Sequence, residues 1–324
     1  MSFNLRNLQG LGNQINVSIP KDNDGFMGRE CPEKECEGYF KIKPGTGLTG
    51  KDLPCHCPYC GHAAQMNQFW TKEQIDYAKS VALRRVSEAF VRDLKQLEFD
   101  HKPRGGFGIG MSMKLKPGTP PPIRYYREKA LETHVTCNIC TLEYAVYGVF
   151  AYCPDCGVHN SLQMLQKNLA LAKKQLAVAD AQTDGDFRRY LIEDALENCV
   201  SAFDGFARER ARAFSSRSSD PAAAESMRFQ NLRRFGMRLK AVFGIDLQTG
   251  MAPADWDFAH ICFMKRHVLA HAAGVIDQNY VDETKESSHL LGRRVAVTAP
   301  DVDRFAATIE ELGTRLVAAL GALP

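Results

Sequence analysis

The sequence predicts an α+β chain that is mainly α, with two small β modules joined by a long helix and a linker to a C-terminal helical bundle. Three observations carry that prediction. Two cysteine groups occupy residues 31–60 and 137–156. Between them, apolar residues recur at helical spacing from Thr71 to about residue 99, and beyond Ser161 the pattern is almost wholly helical. The expected domains are 1–70 for the first module, 71–100 for the connecting helix, 101–160 for a Gly/Pro-rich segment with the second module, and 161–324 for the bundle.

A length of 324 residues exceeds one typical domain, and 44% hydrophobic residues suffice for a core. The 41 lysines and arginines against 38 acidic residues leave a charge of +3, which neither demands nor excludes a polyanionic partner. Apolar runs are broken by charge well short of about 18 residues, and Met1-Ser2-Phe3-Asn4-Leu5-Arg6 lacks a signal core. A soluble, cytoplasmic protein without membrane association is expected. Eleven cysteines, eight of them in two pair-of-pairs patterns, fit reduced thiolates holding metal better than disulfides.

Taken in order, Ile15-Asn16-Val17-Ser18-Ile19-Pro20 alternates as a strand would. Residues 31–62 are turn-rich. Thr71 and Gln74 form a capping-box candidate, and Ile75, Ala78, Ala82, Val86, Phe90 and Leu94 mark one helical face. Residues 101–123 carry Gly105-Gly106-Phe107-Gly108-Ile109-Gly110 and Pro120-Pro121-Pro122, a linker composition. Seven lysines and arginines stand against one glutamate over 101–130, from Lys102 and Arg104 to Lys129, as a solvated linker or a nucleic-acid contact. Helices are expected over 161–182, 186–214, 221–243, 254–273 and 301–320, with Pro300 placed to start the last and Arg293–Thr298 extended before it.

Cys137-x2-Cys140 and Cys153-x2-Cys156 each present two sulfurs from a tight knuckle, and the strand-like run Glu143–Phe150 between them brings the knuckles together for tetrahedral Zn2+. In the first group Cys31, Cys36, Cys57 and Cys60 are the chosen ligands, because Cys57-Pro58-Tyr59-Cys60-Gly61 repeats the composition of Cys153-Pro154-Asp155-Cys156-Gly157. Cys55, His56 and His62 are surplus candidates there. Cys199 and Cys262 stand singly in helical patterns and read as core residues. Both groups resemble zinc ribbons. Four thiolates leave no open position for water, so two structural rather than catalytic zincs are expected, whether the ribbons only staple a small fold or also bind RNA or protein.

The helix from about Asp255 carries His260, Met264, His267 and His271 along one stripe, which a semi-polar dimer seam would also explain. Arg266 lies five residues before His271, about 140° around an ideal helix at roughly 100° per residue. Bringing the two together needs the reach of Arg266, a bend, or a second copy across a dimer axis. His260 reads as structural. The His-Glu-x2-His pattern of zinc hydrolases is absent from the sequence. Glu193, Asp194, Glu197 and Asp204 read as ordinary helix-surface carboxylates, with a place lining the bundle interior or near the site as the alternative.

Arg266-His267-x3-His271 resembles the Arg-polar-x3-His signature of HEPN domains, helical bundles found in many prokaryotic ribonucleases and toxins. His271-Ala272-Ala273-Gly274-Val275-Ile276-Asp277-x2-Tyr280 and Cys199-Val200-Ser201-Ala202-Phe203-Asp204-Gly205-Phe206 extend the resemblance over about residues 186–320. It implies a homodimer in which two such motifs meet across the interface and cleave RNA without metal, with Arg266 holding phosphate, His271 as the principal acid/base, and His267 as a second proton carrier or an orienting donor. The implied products are a 2′,3′-cyclic phosphate and a 5′-hydroxyl. A defence or toxin role, and an inhibitory or activating protein partner, also follow from the resemblance. The alternative is a noncatalytic RNA- or protein-binding module.

Overall fold

The structure, a computed structural model, describes residues 4–48, 53–101, 111–131 and 133–324. The Gly105–Gly110 run, Lys102 and Arg104 lie outside the described residues. The chain divides into two units, Met1–Val158 and His159–Pro324. The fold is α+β and mainly α.

In the first unit a short helix α1 (Arg6–Gln9) precedes strands β1 (Met27–Glu30), β2 (Tyr39–Ile42), β3 (Pro54–His56) and β4 (Ala63–Gln65). Helix α2 (Lys72–Leu94) follows, then the hairpin strands β5 (Phe99–His101) and β6 (Met111–Met113), and finally β7 (Thr133–Thr136) and β8 (Glu143–Val146). The hairpin β3-β4 is a two-stranded sheet of its own, but the other hairpins of the two cysteine groups are not separate. They join in one antiparallel sheet ordered β1-β2-β8-β7, with Lys41 opposite Ala145 and Ile42 opposite Tyr144. The knuckles repeat this pairing: His56 N–H donates to the Pro154 carbonyl at 2.7 Å, and Tyr152 N–H donates to the Pro58 carbonyl at 2.8 Å.

Two readings of this unit are corrected. Ile15–Pro20 forms no strand: the segment has no ladder partner among the described residues, and the Asn16 carbonyl instead accepts from Arg85 at 2.9 Å. In α2 the capping box forms as expected, but the apolar stripe is not the packed face. Ile75, Val86 and Phe90 are exposed, whereas Gln74, Ser80 and Asp93 are buried. The polar face wins because it satisfies irregular backbone: Asp93 accepts from the Asn7 and Leu8 amides, and Gln74 donates to the Gly28 carbonyl.

The second unit consists of α3 (Ser161–Asp180), α4 (Gly185–Ala213), α5 (Pro221–Glu225), α6 (Leu232–Phe243), α7 (Pro253–His271), α8 (Gln278–Thr284) and α9 (Ala299–Gly321). The single helix expected over 221–243 is broken at residues 226–231, where the buried Asp204 takes the Phe229 amide at 2.7 Å and the Gln230 side chain at 3.1 Å. Asp204 and Glu193 are thus not surface carboxylates but the interior alternative, Glu193 meeting Arg294 at 2.8 Å. In the segment expected to be extended, Arg293 lies in a bend, Arg294 forms one bridge with Val275, and Thr298 is extended.

An aromatic cluster joins α4, α6, α7 and α9. Phe235 of α6 packs against Phe203 of α4, Phe229 and Phe263 of α7, with ring centroids 5.6, 5.2 and 6.1 Å apart, and Phe263 meets Phe305 of α9. Gly313 lets α9 approach α3, since a Cβ there would stand 2.6 Å from Leu165. Cys199 and Cys262 lie in this core, where burial pushes both thiols up to about 12.

Candidate functional site

Each cysteine group converges on one point. The sulfurs of Cys31, Cys36, Cys57 and Cys60 lie within 4.8 Å of one another, as do those of Cys137, Cys140, Cys153 and Cys156. The separations Cys31–Cys60, Cys36–Cys57 and Cys137–Cys156 are 3.7 Å, and Cys140–Cys153 is 3.5 Å. Four sulfurs placed about 2.3 Å from a tetrahedral Zn2+ stand roughly 3.8 Å apart, so both groups could hold that ion.

The local sequence explains the geometry. Gly61 and Gly157 adopt φ of 74° and 69° after their Cys-x2-Cys pairs, which lets their amides return to the Cys57 and Cys153 carbonyls. Burial pushes the Cys57 thiol up to about 12, and a bound cation would offset that cost of ionisation.

The surplus candidates stand outside both groups. Cys55 is wholly buried, and burial pushes its thiol up to about 12 despite the nearby Arg29 guanidinium. His62 faces Glu33 at 3.1 Å, and the His56 ring packs against Gly157.

The second candidate site is a cleft of about 380 Å³ in the helical unit. Arg228, Gln230 and Asn231 line it from the 226–231 segment, and Arg234 and Arg238 from α6. Helix α7 contributes Met264, Arg266, His267 and His271, while Asn279 and Glu283 of α8 complete the wall. Helix α6 turns Leu232, Phe235 and Leu239 into the core and leaves Arg234 and Arg238 exposed. On α7, His260 and Met264 are buried while His267 and His271 are exposed, so the histidine stripe runs from the core into the cleft.

Arg266 and His271 border the same cleft of one chain although α7 is continuous from Pro253 to His271. Their separation around the helix does not keep the two residues out of one cleft. That separation does not by itself require a second copy. The Arg266 Nε is buried without a hydrogen-bond partner, and among the described residues none of Arg228, Arg234, Arg238 and Arg266 forms an ion pair. Glu283, the carboxylate in the wall, is already engaged with Arg233 at 3.7 Å and His260 at 3.6 Å.

The His267 and His271 rings lie 4.7 Å apart. Partial burial holds His267 below the ordinary imidazole value, and the positive neighbours His271, Arg266 and Arg234 add to the effect against the opposing Asp277. His267 is therefore largely neutral near pH 7 and able to accept a proton.

The residues after His271 have structural tasks. Ala273 and Gly274 take φ of 51° and 81° to end α7, Asp277 caps α8 by accepting from the Tyr280 amide at 2.8 Å, and Tyr280 is buried. His260 is likewise structural, with Nε2 at 3.2 Å from the Glu283 carbonyl.

Arg228, Arg234 and Arg238 are absent from the sequence-based site. The available signal was the density of arginine over 228–238, where Arg228, Arg233, Arg234 and Arg238 fall within eleven residues and Arg234 and Arg238 share one helical face. No protein-family model, curated protein or solved structure matches the chain.

Proposed function

We propose that the helical unit is a HEPN-type endoribonuclease that cleaves RNA without a metal in its reaction, and that the cysteine groups hold two structural Zn2+ ions. The observation that carries the reading is that Arg266, His267 and His271 line one cleft in which Arg266 has no ion-pair partner among the described residues.

In the proposed reaction His267, kept neutral by its surroundings, accepts the 2′-hydroxyl proton as O2′ attacks phosphorus. The bond from phosphorus to O5′ breaks, and His271 donates a proton to the departing oxygen. Arg266 holds the non-bridging oxygens and offsets their growing charge. The products are a 2′,3′-cyclic phosphate and a 5′-hydroxyl. A homodimer, a defence or toxin role, and control by a protein partner belong to the same reading.

Bound zinc would cross-link a unit whose strands are short, none of the described ones longer than four residues. The cleft arginines also suit a noncatalytic RNA-binding module, since phosphate binding needs no proton carrier.

The test is RNA cleavage in EDTA, with folding and zinc content measured in the same samples. Arg266→Ala and His271→Ala are each expected to lose about 10² or more in rate. Equal cleavage by both variants and the parent would remove the assigned site. Retention of RNA without cleavage by any of the three would favour the binding module.

A further inference from the structure

We propose that Arg228, Arg234 and Arg238 form a second phosphate subsite, so that the cleft grips at least two consecutive phosphates of a single-stranded nucleic acid. The inference rests on the nuclease reading only for the placing of the scissile phosphate at Arg266.

The geometry is that of a built wall. Arg234 and Arg238 lie four residues apart on the exposed face of α6, about 6 Å along its axis at roughly 1.5 Å per residue. Their helix is anchored from behind by Phe235 and Leu239, both wholly buried. Arg228 reaches the same cleft from a segment that Asp204 holds by two hydrogen bonds, to the Phe229 amide and to the Gln230 side chain.

The charge is unbalanced. Four guanidinium groups border one cleft without an ion-pair partner among the described residues, and their mutual repulsion is relieved by an anion carrying several charges. Guanidinium forks match phosphate oxygens in pairs, a geometry that lysine lacks.

Size and shape set the ligand class. About 380 Å³ is comparable to small-molecule sites of roughly 300–1,000 Å³ and exceeds what one phosphate fills. A concave cleft admits a strand whose backbone can bend into it. A duplex presents its phosphates on a stiff convex surface.

The experiment uses the full chain and a fluorescein-labelled single-stranded 2′-deoxy oligonucleotide of about ten nucleotides, which lacks the attacking hydroxyl. Binding is followed by anisotropy between about 50 and 200 mM salt. Arg234→Gln with Arg238→Gln is expected to reduce the slope of log K against log salt by about 1.4, at about 0.7 per lost contact with a single strand. Arg266→Gln is expected to reduce it by about 0.7. Lys173→Gln with Lys174→Gln, which removes equal charge from α3 outside the cleft, leaves the slope unchanged.

The proposal is overturned if the α6 double variant, with its helix content intact, keeps the parent's slope and affinity. An equal effect of the α3 pair, or tighter binding of a duplex of the same length, also overturns it. If the slopes fall as stated while the parent cuts no RNA, the subsite stands and the nuclease reading falls.

Discussion

The cysteine-bearing unit and the helical unit reach order by opposite routes. In the first, short strands and four-cysteine clusters organise a sheet, and its long helix presents polar residues inward. In the second, a continuous aromatic core sets the helix positions, and the side chains of the cleft are carried on surfaces that the core fixes. The difference teaches where each unit is vulnerable: the first through its ligands, the second through the packing behind its cleft.

Metal removal is the largest expected perturbation. Structural zinc contributes on the order of 10 kcal/mol or more in small zinc-dependent folds. The parent should carry close to two zincs per chain. Because β2 pairs with β8 and the knuckles exchange backbone hydrogen bonds, Cys137→Ser should also loosen the first cluster. Metal content would then fall by more than one ion per chain on mild chelation. Loss of one ion with the other held as tightly as before would break the shared-sheet account.

Next comes the core beneath the cleft. Phe235→Ala should destabilise the helical unit by about 3–5 kcal/mol, measured by denaturant unfolding, because the side chain is wholly buried among three other rings. A cost below about 1 kcal/mol would show that the aromatic cluster does not set the position of α6.

Asp204→Asn should be milder, about 1–3 kcal/mol, since the two bonds to residues 229 and 230 weaken while volume is kept. Oligonucleotide binding should weaken more in this variant than stability alone explains, through the displacement of Arg228. Unchanged binding would separate the loop from the subsite.

The smallest effect is a pH dependence. Burial and then Arg233 hold the buried His260 below its ordinary value of 6.5, against the opposing Glu283 and Asp257. As pH falls below about 6.5 the unfolded chain takes up the proton first, so stability declines and then levels once the folded form is also protonated. His159 is shifted the same way by burial. Thermal melting of His260→Gln should show a shallower decline between about pH 6.5 and 5 than the parent. An identical decline would assign it to other groups.

Much of this was legible in the sequence, and the rest was hidden for a physical reason. Knuckle ligands are set by spacing over a few residues, so Cys137, Cys140, Cys153 and Cys156 could be grouped directly. The pairing of β2 with β8 joins residues about 100 apart and leaves no local signature. The face of α2 was misassigned because apolar periodicity gives the helix but not the packed side. Arg266, His267 and His271 stood out as a local motif, whereas Arg234 and Arg238 come from a helix whose relation to α7 exists only after Phe235 and Phe263 pack.

The central claim is that one chain's cleft brings Arg266 and His271 to the same phosphate. Mixing separately purified Arg266→Ala and His271→Ala proteins, allowing subunits to exchange, and measuring RNA cleavage in EDTA tests it directly. The account predicts that the mixture is no more active than either variant alone. Recovery of a substantial fraction of the parent's activity would show that the arginine and the histidine act from different chains, and would contradict it.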